Sequence, residues 1–199
     1  MHDEGVIKFN CNWVPDNPPD AALIKALNEW RNRLYEKKLI GVTPDDIGYG
    51  NMSIRYRDNQ FIITGSTTGK IEKLSPEHYT IVTEYNINQN SLTTVGPIKA
   101  SSESLTHAMI YECCKNANAV FHVHHKNLWE KLVSTLPSTH PDVPYGTPQM
   151  AKEIQRLFIE ENLDQHKIFA MAGHQDGVIS FGNTLNEAGE ILEKHLRNL

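Results

Sequence analysis

The sequence predicts an α/β fold, and three observations carry that expectation. Apolar residues recur at helical spacing on one broad face over 21–39: Leu23, Ile24, Leu27, Trp30, Leu34 and Leu39. The stretch 101–125, SSESLTHAMIYECCKNANAVFHVHH, reads as a loop, a helix and a strand. Short apolar runs bounded by turn residues, such as 61–64, 79–85, 167–171 and 178–181, read as further strands.

Taken in order, the elements follow from local chemistry. Residues 1–20 are polar and carry Pro15, Pro18 and Pro19, so an irregular lead-in is expected. The first helix is expected to end at Gly41, as a glycine C-cap. Gly48-Tyr49-Gly50-Asn51-Met52-Ser53 reads as a tight glycine turn feeding a strand. Gly65-Ser66-Thr67-Thr68-Gly69-Lys70 joins hydroxyls, glycines and one lysine in a candidate anion cradle. It is not a P-loop: the two glycines are too close and Lys70 is followed by Ile71. Residues 86–98 read as a hairpin or meander. Ser101 and Ser102 sit where a helix would start, with hydroxyls suited to N-capping, and Glu103 falls in the first turn. Leu105, Ala108, Met109 and Ile110 give that helix an apolar face. After His125, Leu128, Trp129, Leu132 and Val133 suggest a short helix. Residues 135–148 are an ordered loop, and Pro148 opens a helix running to about Glu161 with Met150, Ile154, Leu157 and Phe158 inward. Residues 173–177 form a turn, and 184–196 a closing helix.

The chain has 199 residues, 39% hydrophobic and 22% charged, with a formal net charge of −5 and no block of like charges. These figures predict a single domain over 1–199 with a sizeable core, and no nucleic-acid surface. No apolar run reaches the length of a membrane span. The first ten residues carry acids and lack the long apolar stretch of a signal peptide. Cys11, Cys113 and Cys114 form no metal knuckle or disulfide framework, so a reducing cytoplasm is expected.

The candidate chemistry lies in the histidines and the acid before them. Strand residues alternate, so His122 and His124 share one face and Val123 the other. His174, in a glycine turn between two apolar strands, would complete a three-imidazole site for a divalent transition metal with a position open for substrate. Glu103 could be a fourth ligand at rest or a base beside the metal. Ser101 and Ser102 with the glycine turns could hold a phosphate. His107, one helical turn after Glu103, is either a partner of the metal site or a satisfied helix histidine. His125 points away from the His122/His124 face. His78, His140, His166 and His195 carry no pattern and are assigned to the surface.

Together these pieces resemble the class II aldolase/adducin family over nearly the whole chain. The carrying residues are Gly50-Asn51-x-Ser53-x-Arg55, Ile63-Thr64 followed by Thr68-Gly69, Ser101-Ser102-Glu103, His122-x-His124, and His174 before Val178-Ile179-Ser180-Phe181-Gly182. The resemblance implies a three-layer α/β/α sandwich with a central, largely antiparallel sheet. It implies zinc on His122, His124 and His174, and Glu103 as acid/base. It implies substrate phosphate near Asn51, Thr68, Gly69, Ser101 and Ser102, in a cytoplasmic homotetramer with active sites between subunits. The activity implied is zinc-dependent cleavage of a ketose phosphate through an enediolate.

The sequence departs from that family at three places. The usual short Asn-His-Gly turn is Gly173-His174-Gln175-Asp176-Gly177 here. The phosphate loop carries one extra residue, leaving Thr64-Gly65 as the alternative to Thr68-Gly69. Family aldolases use a tyrosine from a neighbouring subunit, for which Tyr145 is a candidate, and another in a C-terminal tail, which has no counterpart before Leu199. Glu103 favours an aldolase, or a dehydratase of the methylthioribulose-1-phosphate type, over the sugar-phosphate 4-epimerases, which usually carry Asp there. A non-catalytic adducin-like binding module is the alternative of another class; such domains lose the metal histidines.

Overall fold

The computed structural model describes residues 6–199; the first five residues of the expected lead-in, and with them part of the signal-peptide expectation, lie outside the described residues. In chain order the elements are β1 (Asn10–Val14), α1 (Ala21–Glu36), β2 (Gly41–Val42), β3 (Gly48–Tyr49), β4 (Asn51–Arg57), β5 (Gln60–Thr64), β6 (Tyr79–Asn86), β7 (Ser91–Val95), α2 (Ser104–Cys113), β8 (Ala119–His124), α3 (Lys126–Thr135), α4 (Pro148–Glu160), α5 (Leu163–His166), β9 (Ile168–Ala170), β10 (Gly177–Gly182) and α6 (Leu185–Arg197). Among the described residues, eight strands form one sheet in the order β1-β7-β6-β5-β4-β8-β10-β9, while β2 and β3 pair separately. Every neighbour pair in the large sheet is antiparallel except β1 with β7.

Two apolar cores lie on opposite faces of this sheet, which makes three layers. One core gathers Leu105, Ala108 and Ile110 of α2 with Met150, Ile154 and Leu157 of α4 against Ile63, Val120 and Phe181. The other gathers Leu27, Trp30 and Leu34 of α1, Leu128 and Leu132 of α3, and Ala188 and Leu192 of α6 against Met52, Ile62, Phe121 and Val123. The alternation along β8 assigns Val120 to one layer and Phe121 and Val123 to the other, which fixes the strand's register.

The expected elements form, with corrections at their ends. The lead-in contains β1, a half-exposed edge strand (NCNWV) with two asparagines and no continuous apolar run, which gives no buried-strand signal. Helix α1 stops before Gly41. Lys38 takes the left-handed conformation (φ 58°), and the N–H groups of Lys38 and Leu39 donate to the carbonyls of Tyr35 and Leu34, both at 2.9 Å. This is a Schellman ending on a lysine, so Gly41 is free to begin β2. Leu23, expected on the apolar face, is 46% exposed, whereas Arg31 is buried. Helix α2 begins at Ser104, one residue after Glu103. Ser101 Oγ therefore accepts only from the N–H of Glu103, at 3.4 Å, and neither serine occupies the cap position. No helix of the described residues is long and apolar enough to cross a membrane, and Cys11, Cys113 and Cys114 are free thiols.

Candidate metal and anion site

His122 and His124 leave β8 on the same side, as period-two geometry requires. Their partner His174 is carried by the turn between β9 and β10. That turn is tied at its base: Met171 N–H donates to Gly177 O, Gly177 N–H to His174 O, and His174 N–H to Met171 O. Gly177 is required there, because a Cβ on it would stand 2.4 Å from His174 Cδ2. Gly177 pairs with His124 across the β10–β8 ladder, which delivers the turn to the histidine-bearing end of β8. The ligand atoms of the three imidazoles all lie within 4.8 Å of one another. His124 Nε2 and His174 Nε2 are 3.0 Å apart.

A divalent cation fits this donor set. His122 Nε2 is buried with no hydrogen-bond partner, a costly state for a ring nitrogen unless a ligand takes it. Burial, and then the neighbouring His124, His174 and His107, hold the His122 pKa well below its ordinary value, so the ring is neutral and keeps a lone pair to donate. Asn51 lies directly opposite His122 in the β4–β8 ladder, and its amide nitrogen is 3.1 Å from His122 Nδ1. Its Oδ1 is buried without a partner. A half-turn of that amide gives Oδ1 the proton of Nδ1–H and leaves the Nε2 lone pair for a cation.

Glu103 is 1% exposed. Thr106 Oγ1 donates to its Oε2 at 2.7 Å, and Oε1 has no partner. Burial pushes this carboxyl up to about 7, against the opposing hydrogen bond from Thr106 and the charge of Lys8. It is thus able both to take and to return a proton near neutrality.

Beside these groups, Gly48, Gly50, Asn51, Gly65, Ser66, Thr67, Thr68, Gly69, Ser101 and Ser102 line one small pocket. All five residues expected around phosphate are among them. Asn51 belongs both to this pocket and to the contact with His122. Of the alternative pair, Thr64 does not line the pocket and its hydroxyl accepts from Met52 N–H at 3.2 Å, whereas Gly65 lines it together with Thr68, whose hydroxyl donates to Gly65 O at 2.8 Å. Lys70 is a correction to the expected cradle: it does not line the pocket and its ammonium pairs with Asp46 at 2.8 Å.

Three further features add to the sequence reading, which named Tyr145 and His107 but neither Lys8 nor Arg31. Tyr145 is 4% exposed and its ring centroid lies 4.4 Å from that of His174 in the same chain, with Lys8 Nζ 3.8 Å above the Tyr145 ring. Nothing in the sequence ties Lys8 to this end of the sheet. His107 is fully buried and its Nδ1 lies 2.7 Å from Ser53 Oγ, which lies 2.7 Å from Tyr111 OH. Its Nε2 has no partner, and burial pushes its pKa down to about 3. Arg31 had a signal: Ile24, Leu27, Arg31 and Leu34 follow the i, i+3, i+7, i+10 spacing of a buried helix face. Of the remaining histidines, His140 and His166 are exposed as expected. His78 is instead half-buried, its Nδ1 accepting from Ser75 N–H at 2.9 Å, and His195 is also half-buried. His125 caps α3, accepting from Leu128 N–H at 3.1 Å.

Among curated proteins none matches this sequence. Solved structures do. An L-fuculose 1-phosphate aldolase superposes with a TM-score of 0.66 at 19% identity, over 91% of this chain and 84% of its own. The L-fuculose-1-phosphate aldolase of Thermus thermophilus gives 0.60 at 23% identity, over 88% and 86%. YgbL of Escherichia coli gives 0.63 at 19% identity, over 87% and 84%. At these identities the likeness is one of fold. The family model described as "Class II Aldolase and Adducin N-terminal domain" matches residues 34–196, which takes in the histidine cluster, the acid and the pocket, and the chain belongs to that family.

Proposed function

We propose that this protein is a metal-dependent lyase that cleaves a carbon–carbon bond of a ketose phosphate, with zinc as the ion and a homotetramer as the working form. The observation that carries the reading is Asn51, which lines the small hydroxyl- and glycine-rich pocket and touches His122 of the three-histidine cluster. One substrate with a phosphate at one end and a carbonyl a few atoms away spans the two.

His122, His124 and His174 hold the cation. Once bound, it supplies Lewis-acid chemistry that makes the C–H bonds beside a substrate carbonyl more acidic. Ser101, Ser102, Thr68, Gly69 and Asn51 bind the phosphate and so fix which carbon stands at the acid. Glu103 moves the proton at that carbon. Its dry surroundings keep the carboxyl near neutrality, and Thr106 leaves Oε1 as the reacting oxygen. Tyr145, packed on His174, closes the other side of the cluster.

The test is a panel of phosphorylated ketoses offered to zinc-reconstituted protein, with cleavage, dehydration and epimerisation scored in one assay. Retro-aldol cleavage to two carbonyl fragments is expected. Loss of water alone, or inversion alone, would replace the aldolase reading with the dehydratase or epimerase one. No turnover of any compound, with the metal site full, would favour a binding module. Light scattering should give four times the 22.6 kDa chain mass.

A further inference from the structure

Arg31 is the least expected side chain in the core. It is 1% exposed, on the sheet-facing side of α1. Its guanidinium donates to three backbone carbonyls, those of Glu72 at 2.5 Å and of Thr68 and Gly69 at 3.1 Å each. Among the described residues no carboxylate lies within ion-pair reach of it. The titratable neighbours that act on it are the phenols of Tyr79 and Tyr35. A buried cation with no counter-ion is expensive, and carbonyl dipoles offset that cost only in part. Burial accordingly draws its pKa below the ordinary value.

The carbonyls it holds belong to the pocket loop. Thr68 and Gly69 both line the pocket, and Arg31 does not; it stands behind them. A trans peptide is planar, with C=O and N–H opposed. Pinning the Thr68 and Gly69 carbonyls toward Arg31 therefore turns the N–H groups of Gly69 and Lys70 away from it. Thr67, at the head of this turn, is held in the left-handed conformation (φ 63°), so the loop is not a relaxed one. The lysine in the loop's own sequence faces Asp46 instead. The cation behind the loop is Arg31.

We propose that Arg31 is the positioning residue of the anion pocket: it sets the Thr68-Gly69 peptide planes and supplies, from behind the backbone, a positive charge with no carboxylate counter-ion, which a phosphate dianion meets. The proposal rests on the phosphate reading of that pocket. It assigns the pocket's charge preference to a residue that never touches the ligand, and it favours a dianion because the fold gives that charge no carboxylate counter-ion.

The experiment is calorimetric titration of inorganic phosphate into full-length zinc-loaded protein, in wild type, Ser101→Ala/Ser102→Ala, Arg31→Met and Arg31→Lys, with a thermal melt of each. Arg31→Met should weaken phosphate roughly 10–100-fold, the loss of charge-assisted binding, at unchanged zinc content. Arg31→Lys restores charge but not the fork across three carbonyls, so its affinity should fall between wild type and Arg31→Met. If wild type ignores phosphate, or the double serine variant binds it as wild type does, the phosphate pocket itself is overturned, and the role of Arg31 with it. If the serines matter and Arg31→Met still binds like wild type, the role of Arg31 alone is overturned. Equal weakening in the Met and Lys variants, tracking an equal fall in melting temperature, would also overturn it, since packing alone would then account for the residue. Should Arg31→Met fail to fold, Arg31→Lys decides: affinity equal to wild type contradicts the proposal.

Discussion

At the scale of single residues, Asn51 is the side chain on which the two proposed functions meet: it lines the pocket and lies against His122. With its oxygen on His122 Nδ1–H, its NH₂ group is left for the pocket. The two roles separate by substitution. Asn51→Asp keeps an acceptor for Nδ1–H and puts a negative charge beside the pocket; Asn51→Ala removes both contacts. Zinc affinity, measured by chelator competition, should hold in the Asp variant and drop roughly 10–100-fold in the Ala variant. Phosphate affinity should drop in both. An Asp variant that loses zinc as badly as the Ala variant would contradict the assigned amide orientation. His107 makes a second residue-scale prediction. Its pKa falls from 6.5 unfolded to about 3 folded, so the unfolded chain binds the extra proton between those values. The stability it contributes is present above pH 6.5 and is lost as the pH falls toward 3. Metal-free His107→Gln should therefore show a shallower decline in unfolding free energy across that window than metal-free wild type. Parallel declines would mean that His107 is charged inside the fold.

At the scale of elements, the turn between β9 and β10 shows how a glycine positions the His174 imidazole through the side chain it lacks. His174 and Gly177 form a four-residue turn, and the absent Cβ of Gly177 is the space that the imidazole edge fills. Gly177→Ala should push the His174 ring out of line with His122 and His124. Zinc affinity should fall about 10–100-fold, comparable to loss of an orienting contact, while β10 keeps its pairing. A variant with wild-type affinity would show that the ring adapts. The element scale also separates what the sequence discloses from what it conceals. The His122/His124 pair was legible because strand periodicity is a local rule, and α4 was legible from its apolar spacing and from Pro148 at its start. The ending of α1 was not: a lysine in the left-handed region takes the part usually given to glycine, and sequence alone favours Gly41. Strand β1 was hidden because an edge strand pairs through its backbone and needs few apolar side chains.

At the scale of the whole molecule, the site lies across β4, β8 and β10, three adjacent strands in one half of the sheet. Strand β4 carries Asn51, β8 carries two histidines, and the β9–β10 turn carries the third, so ligands far apart in sequence converge by strand order alone. That convergence was legible only through the joint order of motifs, since no single motif specifies strand order. Lys8 was illegible for the same reason: it reaches the site region across the tertiary fold and belongs to no motif. The burial of Arg31 was legible from helix spacing, but the carbonyls it holds were not. A cation that binds only the folded chain stabilises it, by about 2.7 kcal/mol when present at a hundred times its Kd. Zinc should raise the melting temperature of metal-free wild type and leave a His122→Ala/His124→Ala variant unmoved. An equal rise in both would place the ion elsewhere.

The central claim is that Glu103 moves a proton at carbon beside a metal-held carbonyl, and proton exchange tests it most directly. Wild-type protein with zinc is incubated in deuterium oxide with a ketose phosphate such as dihydroxyacetone phosphate, without an aldehyde partner, and loss of the α-proton is followed by NMR. Glu103→Gln keeps size and most hydrogen bonding but cannot act as a base. It should keep its zinc and fold while losing about 10²–10⁴ of the exchange rate, the usual share of general acid–base catalysis. Exchange at the wild-type rate in Glu103→Gln would contradict the account and assign the proton to another residue.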